Sequence, residues 1–124
     1  MMAKRSLVSV VDDDESVRES LPHLLEQFGF AVKAFSSAEA FLASNVVNET
    51  DCLVVDITMP GMSGPELQQE LGRRGYEVPI VFITSTGDES VRPCLLAEGA
   101  VECLFKPFSE TALLDALNTA LRSR

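Results

Sequence analysis

The 124-residue chain has no tryptophan, one histidine and three cysteines. The cysteines (Cys52, Cys94 and Cys103) lie in apolar stretches without C-x-x-C spacing, which predicts buried, reduced thiols rather than disulfides or a zinc site. His23 lies within a predicted helix and has no partner pattern for metal binding or triad chemistry, so we expect it on the surface. Unpaired cysteines of this kind are typical of a cytoplasmic protein.

Long hydrophobic runs and an excess of positive charge are also missing. The longest apolar runs, such as residues 80–83, have the length of a strand and not of a membrane span. The run at residues 7–11 is too short for the core of a signal peptide and leads directly into three aspartates. Ten basic residues against nineteen acidic ones give a formal charge of −9. This charge disfavours direct binding to nucleic acid or to an anionic membrane, and it suits a cation or a basic partner.

What is present is the composition of a globular chain. Hydrophobic residues make up 46% of the sequence and charged residues 23%, whereas a disordered chain would hold fewer apolar residues. A chain of this length is expected to form one hydrophobic core. We therefore predict a single domain over residues 1–124, with a folded core of about residues 6–122.

The hydrophobic period alternates between strand and helix along the whole chain. Five short apolar runs predict strands at residues 7–11, 31–35, 52–55, 80–84 and 101–105. Helical spacing predicts helices at about residues 15–28, 38–43, 64–71, somewhere within 88–98, and 110–121. Two stretches with Ser and Glu three residues apart, Ser36 with Glu39 and Ser63 with Glu66, fit capping boxes that open the second and third helices.

Strands that alternate with helices and are apolar on both faces predict a parallel sheet covered on both sides. Right-handed crossovers leave few topologies for five such strands. We predict an α/β fold with a doubly wound, five-stranded parallel sheet, the flavodoxin-like order 2-1-3-4-5 and five helices. Ligands of such sheets bind at the carboxyl ends of the strands, at the switch point between strands 1 and 3.

Polar residues follow the strands at that edge of the sheet. They are Asp12, Asp13 and Asp14 after strand 1, Asp56 after strand 3, Thr84 and Ser85 after strand 4, and Lys106 after strand 5. Carboxylates that converge repel one another, and a hard divalent cation relieves the repulsion; Mg²⁺ prefers carboxylates, waters and phosphate oxygens. A lysine and a threonine hydroxyl can bind phosphate. Each group alone has an ordinary interpretation, such as helix capping by Asp14 or turn formation at Asp56. Their joint placement predicts a site for Mg²⁺ and phosphate.

Four segments resemble the motifs of response-regulator receiver domains. They are VVDDD at residues 10–14, VVDITMPGMSG at 54–64, FIT at 82–84 and FKPF at 105–108. The similarity covers essentially the whole chain, and AVKAF at residues 31–35 followed by SAEAFL at 37–42 resembles FixJ-type regulators. The resemblance implies a phosphorylation switch rather than a turnover enzyme.

The resemblance also implies a role for each site residue. Asp56 would accept a phosphoryl group from phosphohistidine on a sensor histidine kinase. Asp13, Asp56 and the backbone carbonyl of Thr58 would bind Mg²⁺ directly, and Asp12 would act mainly through a bound water. Lys106 would contact a phosphoryl oxygen, and the Thr84 hydroxyl would turn towards the phosphate. The family's Lys-Pro peptide is typically cis, which implies the same for Lys106 and Pro107.

Three features depart from the family pattern. Cys103 stands three positions before the lysine, where family members usually have an aromatic residue that turns inward on activation. Phe105 is expected nearby, on the opposite face of the strand. Pro93 falls in the fourth helix, which would start late or be kinked, and Pro22 should remove a hydrogen bond to Arg18 in the first helix. Cys103, Pro93 and Phe105 are the candidates for an altered output face.

Three other interpretations are open at this point. Asp12-x-Asp14 also resembles the nucleophile motif of haloacid-dehalogenase-like phosphatases, with Asp12 as nucleophile, although that leaves the segment from Asp56 unexplained. A receiver-like interaction module that works without phosphorylation is a second interpretation, which the intact acidic set argues against. A flavodoxin-like cofactor carrier would need a phosphate-binding loop after strand 1, where the aspartates stand.

The family also sets the expectations for partners. A sensor histidine kinase would donate the phosphoryl group, and phosphorylation would promote a homodimer, weakly in this chain because of Cys103 and Pro93. The output would be transcription or a protein–protein contact. FixJ-type regulators generally carry a C-terminal DNA-binding domain, and this domain itself would not bind DNA.

Overall fold

The computed structural model describes residues 5–85 and 91–122. Over these residues, five parallel strands form one sheet in the order β2-β1-β3-β4-β5, which confirms the predicted fold class. The strands are β1 (Leu7–Val11), β2 (Ala31–Phe35), β3 (Cys52–Asp56), β4 (Ile80–Thr84) and β5 (Glu102–Phe105). The helices are α1 (Glu15–Gln27), α2 (Ala38–Ala43), α3 (Gly64–Arg73), α4 (Val91–Ala97) and α5 (Glu110–Arg122). None of these helices is both long enough and apolar enough to span a bilayer.

The core lies on both faces of the sheet. On one face, side chains of β3 and β4 such as Phe82 pack with Phe41 of α2 and Leu67 of α3. On the other face, Leu25 of α1 and Leu117 of α5 pack against the remaining strand side chains. Every residue of β3 and β4 is buried, as expected for central parallel strands covered by helices. This packing fixes the central strands, and with them the carboxyl edge where the polar residues lie.

Of the two predicted capping boxes, one is present in the structure and the other is not. Ser63 and Glu66 form the predicted reciprocal capping box of α3, and Ser109 caps α5 by accepting the N–H of Ala112. The predicted capping box between Ser36 and Glu39 is wrong. The cap of α2 is Ser37, which accepts the N–H of Ala40, and Glu39 points elsewhere. Adjacent serines can both cap a helix, so the pattern alone did not decide between them.

The two prolines are accommodated within helices. Pro22 lies inside α1, where it has no N–H to donate to the Arg18 carbonyl. Pro93 is the third residue of α4 as described, from Val91 to Ala97. Residues 86–90, which include the predicted start of this helix near Asp88, lie outside the described residues.

The cysteines do not all share one environment. Cys52 and Cys103 are buried as predicted, and burial raises the pKa of Cys52 to about 12 and also raises that of Cys103. Both thiols therefore stay protonated and unreactive at neutral pH. The prediction of a buried Cys94 is wrong: it is exposed on α4, directly before the buried Leu95. Consecutive residues of a helix point in different directions, so Cys94 faces solvent while Leu95 faces the core.

The expectation that Phe105 faces away from Cys103 is also wrong. Residues two apart on a strand share a face, and both side chains pack into the same part of the core. Leu104 between them packs on the other side of the sheet. Cys103 and Phe105 therefore form one continuous surface of β5.

Candidate functional site

Five polar residues gather at the carboxyl edge of the sheet, and we call this group the acidic edge (Asp12, Asp13, Asp56, Thr84 and Lys106). Asp12 follows β1, Asp56 ends β3, Thr84 ends β4 and Lys106 follows β5. These four strands are neighbours in the order β1-β3-β4-β5, so parallel pairing brings their ends together. Asp12 and Thr84 are fully buried and Asp56 is 8% exposed. Polar groups this deeply buried need partners, because removing them from water is costly.

The three carboxylates of the acidic edge converge. One carboxylate oxygen from each of Asp12, Asp13 and Asp56 lies within 4.8 Å of the others. Asp13 is exposed, so the cluster opens to solvent on that side. The donor set consists of hard oxygens alone, which fits Mg²⁺ rather than zinc or a softer metal. Thr58, two residues after Asp56, lies on the loop beside this cluster.

Lys106 supplies the positive charge of the acidic edge. Its Nζ lies 3.3 Å from Oδ2 of Asp12 and 3.7 Å from Oδ2 of Asp56. Its backbone N–H donates to the carbonyl of Thr84 at 2.8 Å, and its peptide bond to Pro107 is cis, as the resemblance implied. The ammonium therefore bridges two carboxylates, one from each side of the switch point. A single cation offsets part of the charge of three anions, and the cluster remains net negative.

Burial and like charge govern the titration of Asp56. Its pKa is raised chiefly because burial disfavours the charged form, and the neighbouring Asp12 adds to the rise. The Thr58 N–H, which donates to Oδ1 of Asp56 at 3.0 Å, and Lys106 act in the opposite direction. A cation bound at the cluster would also favour the carboxylate.

The three consecutive aspartates have three different environments. Oδ1 of Asp12 accepts the N–H of Asp14 at 2.9 Å, which holds the buried carboxylate in place. Asp13 points to solvent beside the cluster. Asp14 caps α1 by accepting the N–H of Ser16 at 2.9 Å, so the ordinary interpretation of this motif holds for Asp14 alone.

Sequence reasoning missed two residues that support the acidic edge. Nη1 of Arg18 donates to the backbone carbonyl of Asp12 at 3.0 Å, which braces the turn after β1. Gly64 opens α3 so close to the end of β3 that an added Cβ would lie 2.7 Å from the carbonyl oxygen of Asp56. The same Cβ would lie 2.9 Å from Cε1 of Phe82. A glycine at the first position of a helix, where it confers no advantage as a helix former, was the available signal.

The candidate output residues line a second feature, which we call the α4–β5 groove. This groove has a volume of about 610 Å³ and is lined by Arg92, Pro93, Leu96, Cys103, Leu104, Phe105, Phe108 and Ala112. An ion pair crosses from α4 to β5 beside it, with Nη2 of Arg92 2.7 Å from Oε1 of Glu102. The same Glu102 oxygen accepts the Cys103 N–H at 3.0 Å. The ion pair is partly exposed to solvent.

The chain is similar to known proteins over nearly its whole length. The family model for the response regulator receiver domain matches residues 8–118. Nodulation protein W of Bradyrhizobium diazoefficiens is 43% identical over 116 residues, which cover 94% of this chain and 51% of that protein. Transcriptional regulatory protein FixJ of Azorhizobium caulinodans is 42% identical over 114 residues, which cover 92% of this chain and 54% of that protein.

A solved structure extends the similarity to three dimensions. The crystal structure of FixJ-N matches with a TM-score of 0.87 at 39% identity, and the match covers 98% of each chain. The chain spans about half the length of the curated relatives it matches. From the family match, the relatives and the shared fold, we conclude that this chain belongs to the response regulator receiver domain family.

Proposed function

We propose that this domain is a phosphorylation-dependent signalling switch that accepts a phosphoryl group from a sensor histidine kinase onto Asp56. The observation that carries the proposal is the position of the Asp56 carboxylate. It ends the central strand β3, clusters with Asp12 and Asp13, and lies 3.7 Å from the Lys106 ammonium. Two further carboxylates and a lysine around the Asp56 carboxylate suit phosphoryl transfer, in which positioning and charge stabilisation do most of the catalysis.

The transfer itself requires little covalent chemistry from the protein. An oxygen of the Asp56 carboxylate bonds to phosphorus while the bond from phosphorus to the kinase's histidine nitrogen breaks, and that nitrogen keeps the electron pair. The Thr58 N–H holds the other carboxylate oxygen in place, so the nucleophile is already oriented. Lys106 is free to exchange its carboxylate contacts for an oxygen of the incoming phosphoryl group, where it offsets the added charge.

A divalent cation fits the donor set beside Asp56. We propose that Asp13, Asp56 and the Thr58 carbonyl hold Mg²⁺ directly and that Asp12 acts through a bound water. Mg²⁺ would supply positive charge at the phosphoryl oxygens. The deep burial of Asp12 and its two partners, the Asp14 N–H and Lys106, suit a residue that supports ligands rather than one that contacts the substrate.

The domain is proposed to assist its own phosphorylation and dephosphorylation without turning over a separate substrate. A phosphatase that uses Asp12 as nucleophile is not favoured, because this side chain is fully buried and both of its oxygens have partners. An interaction module that works without phosphorylation would not need the cluster of carboxylates around Lys106.

The signal is proposed to pass from Thr84 to the α4–β5 groove. Phosphorylation would draw the Thr84 hydroxyl towards the phosphate, and the backbone link from Lys106 to Thr84 ties the ends of β4 and β5 together. A ligand shifts two states only by the difference in its contacts with them. The contacts of Cys103 can differ less between the two states than those of an aromatic ring, so we propose that phosphorylation promotes only a weak homodimer. The proposed output is transcriptional or a protein–protein contact.

Labelling with a small phosphodonor tests the proposal. The domain is incubated with phosphoramidate and Mg²⁺, and the product is measured by intact mass and peptide mapping. We expect one phosphoryl group on the peptide that contains Asp56, and none when EDTA replaces Mg²⁺. A label on the peptide that contains Asp12, or turnover of a generic phosphate ester, would overturn it in favour of a phosphatase.

A further inference from the structure

Glu39 lies on helix α2, far from the acidic edge in sequence, and contacts the loop that follows the phosphoacceptor. Its Oε2 accepts the backbone N–H of Met62 at 3.1 Å, across 23 residues of sequence. Met62 belongs to the β3–α3 loop (residues 57–63), which begins directly after Asp56 and contains Thr58. From this contact we infer that Glu39 is a positioning residue for phosphoryl transfer, which holds the β3–α3 loop in the conformation that the metal-binding site requires.

The β3–α3 loop is held at each of its ends by its own elements. At its start, Thr58 donates to the Asp56 carboxylate, and the Gly64 N–H closes back onto the Ile57 carbonyl at 3.0 Å. At its end, the capping box of Ser63 and Glu66 joins it to α3. The contact from Glu39 reaches Met62, the residue directly before the cap Ser63, from a different helix. It therefore adds a restraint on the loop that comes from neither β3 nor α3.

The loop backbone is shaped to receive the Glu39 carboxylate. Gly61 has φ +76°, a backbone conformation that residues with a side chain rarely adopt. A Cβ at Gly61 would lie 2.7 Å from Oε2 of Glu39, so the carboxylate occupies the space that any other residue would fill. The backbone turn at Gly61 and the absence of a side chain there both leave room for the Glu39 carboxylate. Glu39 also lies in the first turn of α2, where a negative charge is favourable, so its side chain is stabilised from its own helix as well.

This inference rests on the proposed function, because a positioning role has meaning only if the loop serves the metal and phosphoryl site. The loop carries the Thr58 carbonyl, one of the proposed ligands. A hydrogen bond on the surface changes the free energy of one conformation by a modest amount, so the effect on the site is graded. Loss of Glu39 should weaken the site without removing it.

A set of three variants tests the role of the hydrogen bond. Glu39→Ala removes the acceptor, Glu39→Gln keeps an acceptor oxygen but loses the charge, and Glu49→Ala loses the same charge from an exposed position before β3, at the opposite edge of the sheet. Amide exchange at Met62 is followed by NMR in metal-free protein. Mg²⁺ affinity is measured by calorimetry, and the phosphorylation rate with phosphoramidate at limiting Mg²⁺.

For Glu39→Ala we expect faster exchange at Met62 and Mg²⁺ affinity weaker by about threefold to tenfold, with the same factor in the rate. Glu39→Gln should recover most of both, and Glu49→Ala should match the unaltered chain. If Glu39→Gln behaves like Glu39→Ala, charge and not the hydrogen bond is responsible, and the inference is overturned. It is also overturned if Met62 exchange rises while Mg²⁺ affinity is unchanged. If the unaltered chain takes no phosphoryl group, the proposed function fails, whereas the exchange and Mg²⁺ measurements still decide the role of Glu39.

A double variant gives an independent check. Gly61→Ala should lower the midpoint of urea unfolding because the new Cβ meets the Glu39 carboxylate and the backbone is strained. In the Glu39→Ala background the first of these costs disappears, so the added loss should be smaller than in the unaltered chain. Strictly additive losses would show that the two groups do not meet, which would remove the structural basis of the inference.

Discussion

The acidic edge and the α4–β5 groove are built on the same sheet, but they differ in how tightly their side chains are held. At the acidic edge, Asp12 and Thr84 are fully buried, and backbone N–H groups hold the carboxylates of Asp12 and Asp56. Around the groove, Pro93 is exposed, and the ion pair between Arg92 and Glu102 is open to solvent. Buried charge tolerates little change, because each lost partner leaves an unpaired group, whereas a partly exposed surface can accept different residues.

This contrast accounts for two of the three departures from the family pattern, since Pro22 lies apart in α1. The departures Cys103 and Pro93 both line the groove, while the residues of the acidic edge match the family motifs. The chemistry at the edge requires defined charges at defined positions, and the groove requires mainly a shape that changes between two states. The predictions below test the two regions against each other, from the largest expected effect to the smallest.

Asp56→Asn should abolish phosphorylation by phosphoramidate, because an amide is not a nucleophile for phosphorus under these conditions. Intact mass measures the result. Asp14→Asn is the matched control and should still take one phosphoryl group, since Asp14 caps α1. Persistent labelling of Asp56→Asn at Asp12 or Asp14 would contradict the assignment of the phosphoacceptor.

Lys106→Ala should slow phosphorylation by about a hundredfold, because it removes the positive charge that lies 3.7 Å from the reacting carboxylate. It should not weaken Mg²⁺ binding, because the ammonium repels the metal. Intact mass at timed intervals measures the phosphorylation rate, and calorimetry measures Mg²⁺ binding. A large loss of Mg²⁺ affinity would show that Lys106 mainly organises the carboxylates.

Asp13→Asn should weaken Mg²⁺ binding by about tenfold or more, because it removes one carboxylate from the cluster. Asp14→Asn changes the same net charge one residue away and should have a much smaller effect, since its carboxylate faces the N-terminus of α1. Calorimetric titration with Mg²⁺ compares them. Equal losses would mean that overall charge, and not ligation, determines the affinity.

Gly64→Ala should lower the free energy of unfolding by about 1–3 kcal/mol, because its Cβ would meet the Asp56 carbonyl and the ring of Phe82. Gly72→Ala in the same helix is the control. A Cβ at Gly72 meets no atom within 4 Å, so that variant should be neutral or more stable by up to about 1 kcal/mol. Urea unfolding measures both, and equal effects would show that the packing under Asp56 is loose.

The smallest effect concerns the groove. Beryllofluoride, a phosphoryl mimic, should promote only weak self-association of this chain in sedimentation velocity, and Thr84→Ala should remove it. Cys103→Phe should strengthen the self-association that beryllofluoride promotes. A ring at this position of β5 lies beside the groove, and its contacts can change more between the two states than those of a cysteine. Tight dimerisation that survives Thr84→Ala would show that another feature drives the output face.

Much of the fold could be predicted from residue patterns because the signals are local. The bounds of β1 and β2 agree with the prediction to the residue, and those of β3 and β5 to within one. The predicted topology also indicated that the residues of the acidic edge lie close together, since parallel strands in this order bring their ends together.

The sequence by itself determined the element order and the polar residues at the strand ends, whereas the shared face of Cys103 and Phe105 was recognised only in the structure. Periodicity, caps and turns act over a few residues, so they can be inferred without a fold. Only the tertiary structure decided that Glu39 reaches Met62 and that Cys94 faces solvent. Such contacts depend on how helices cross the sheet, because a side chain's partner across 23 residues is set by packing and not by any local pattern.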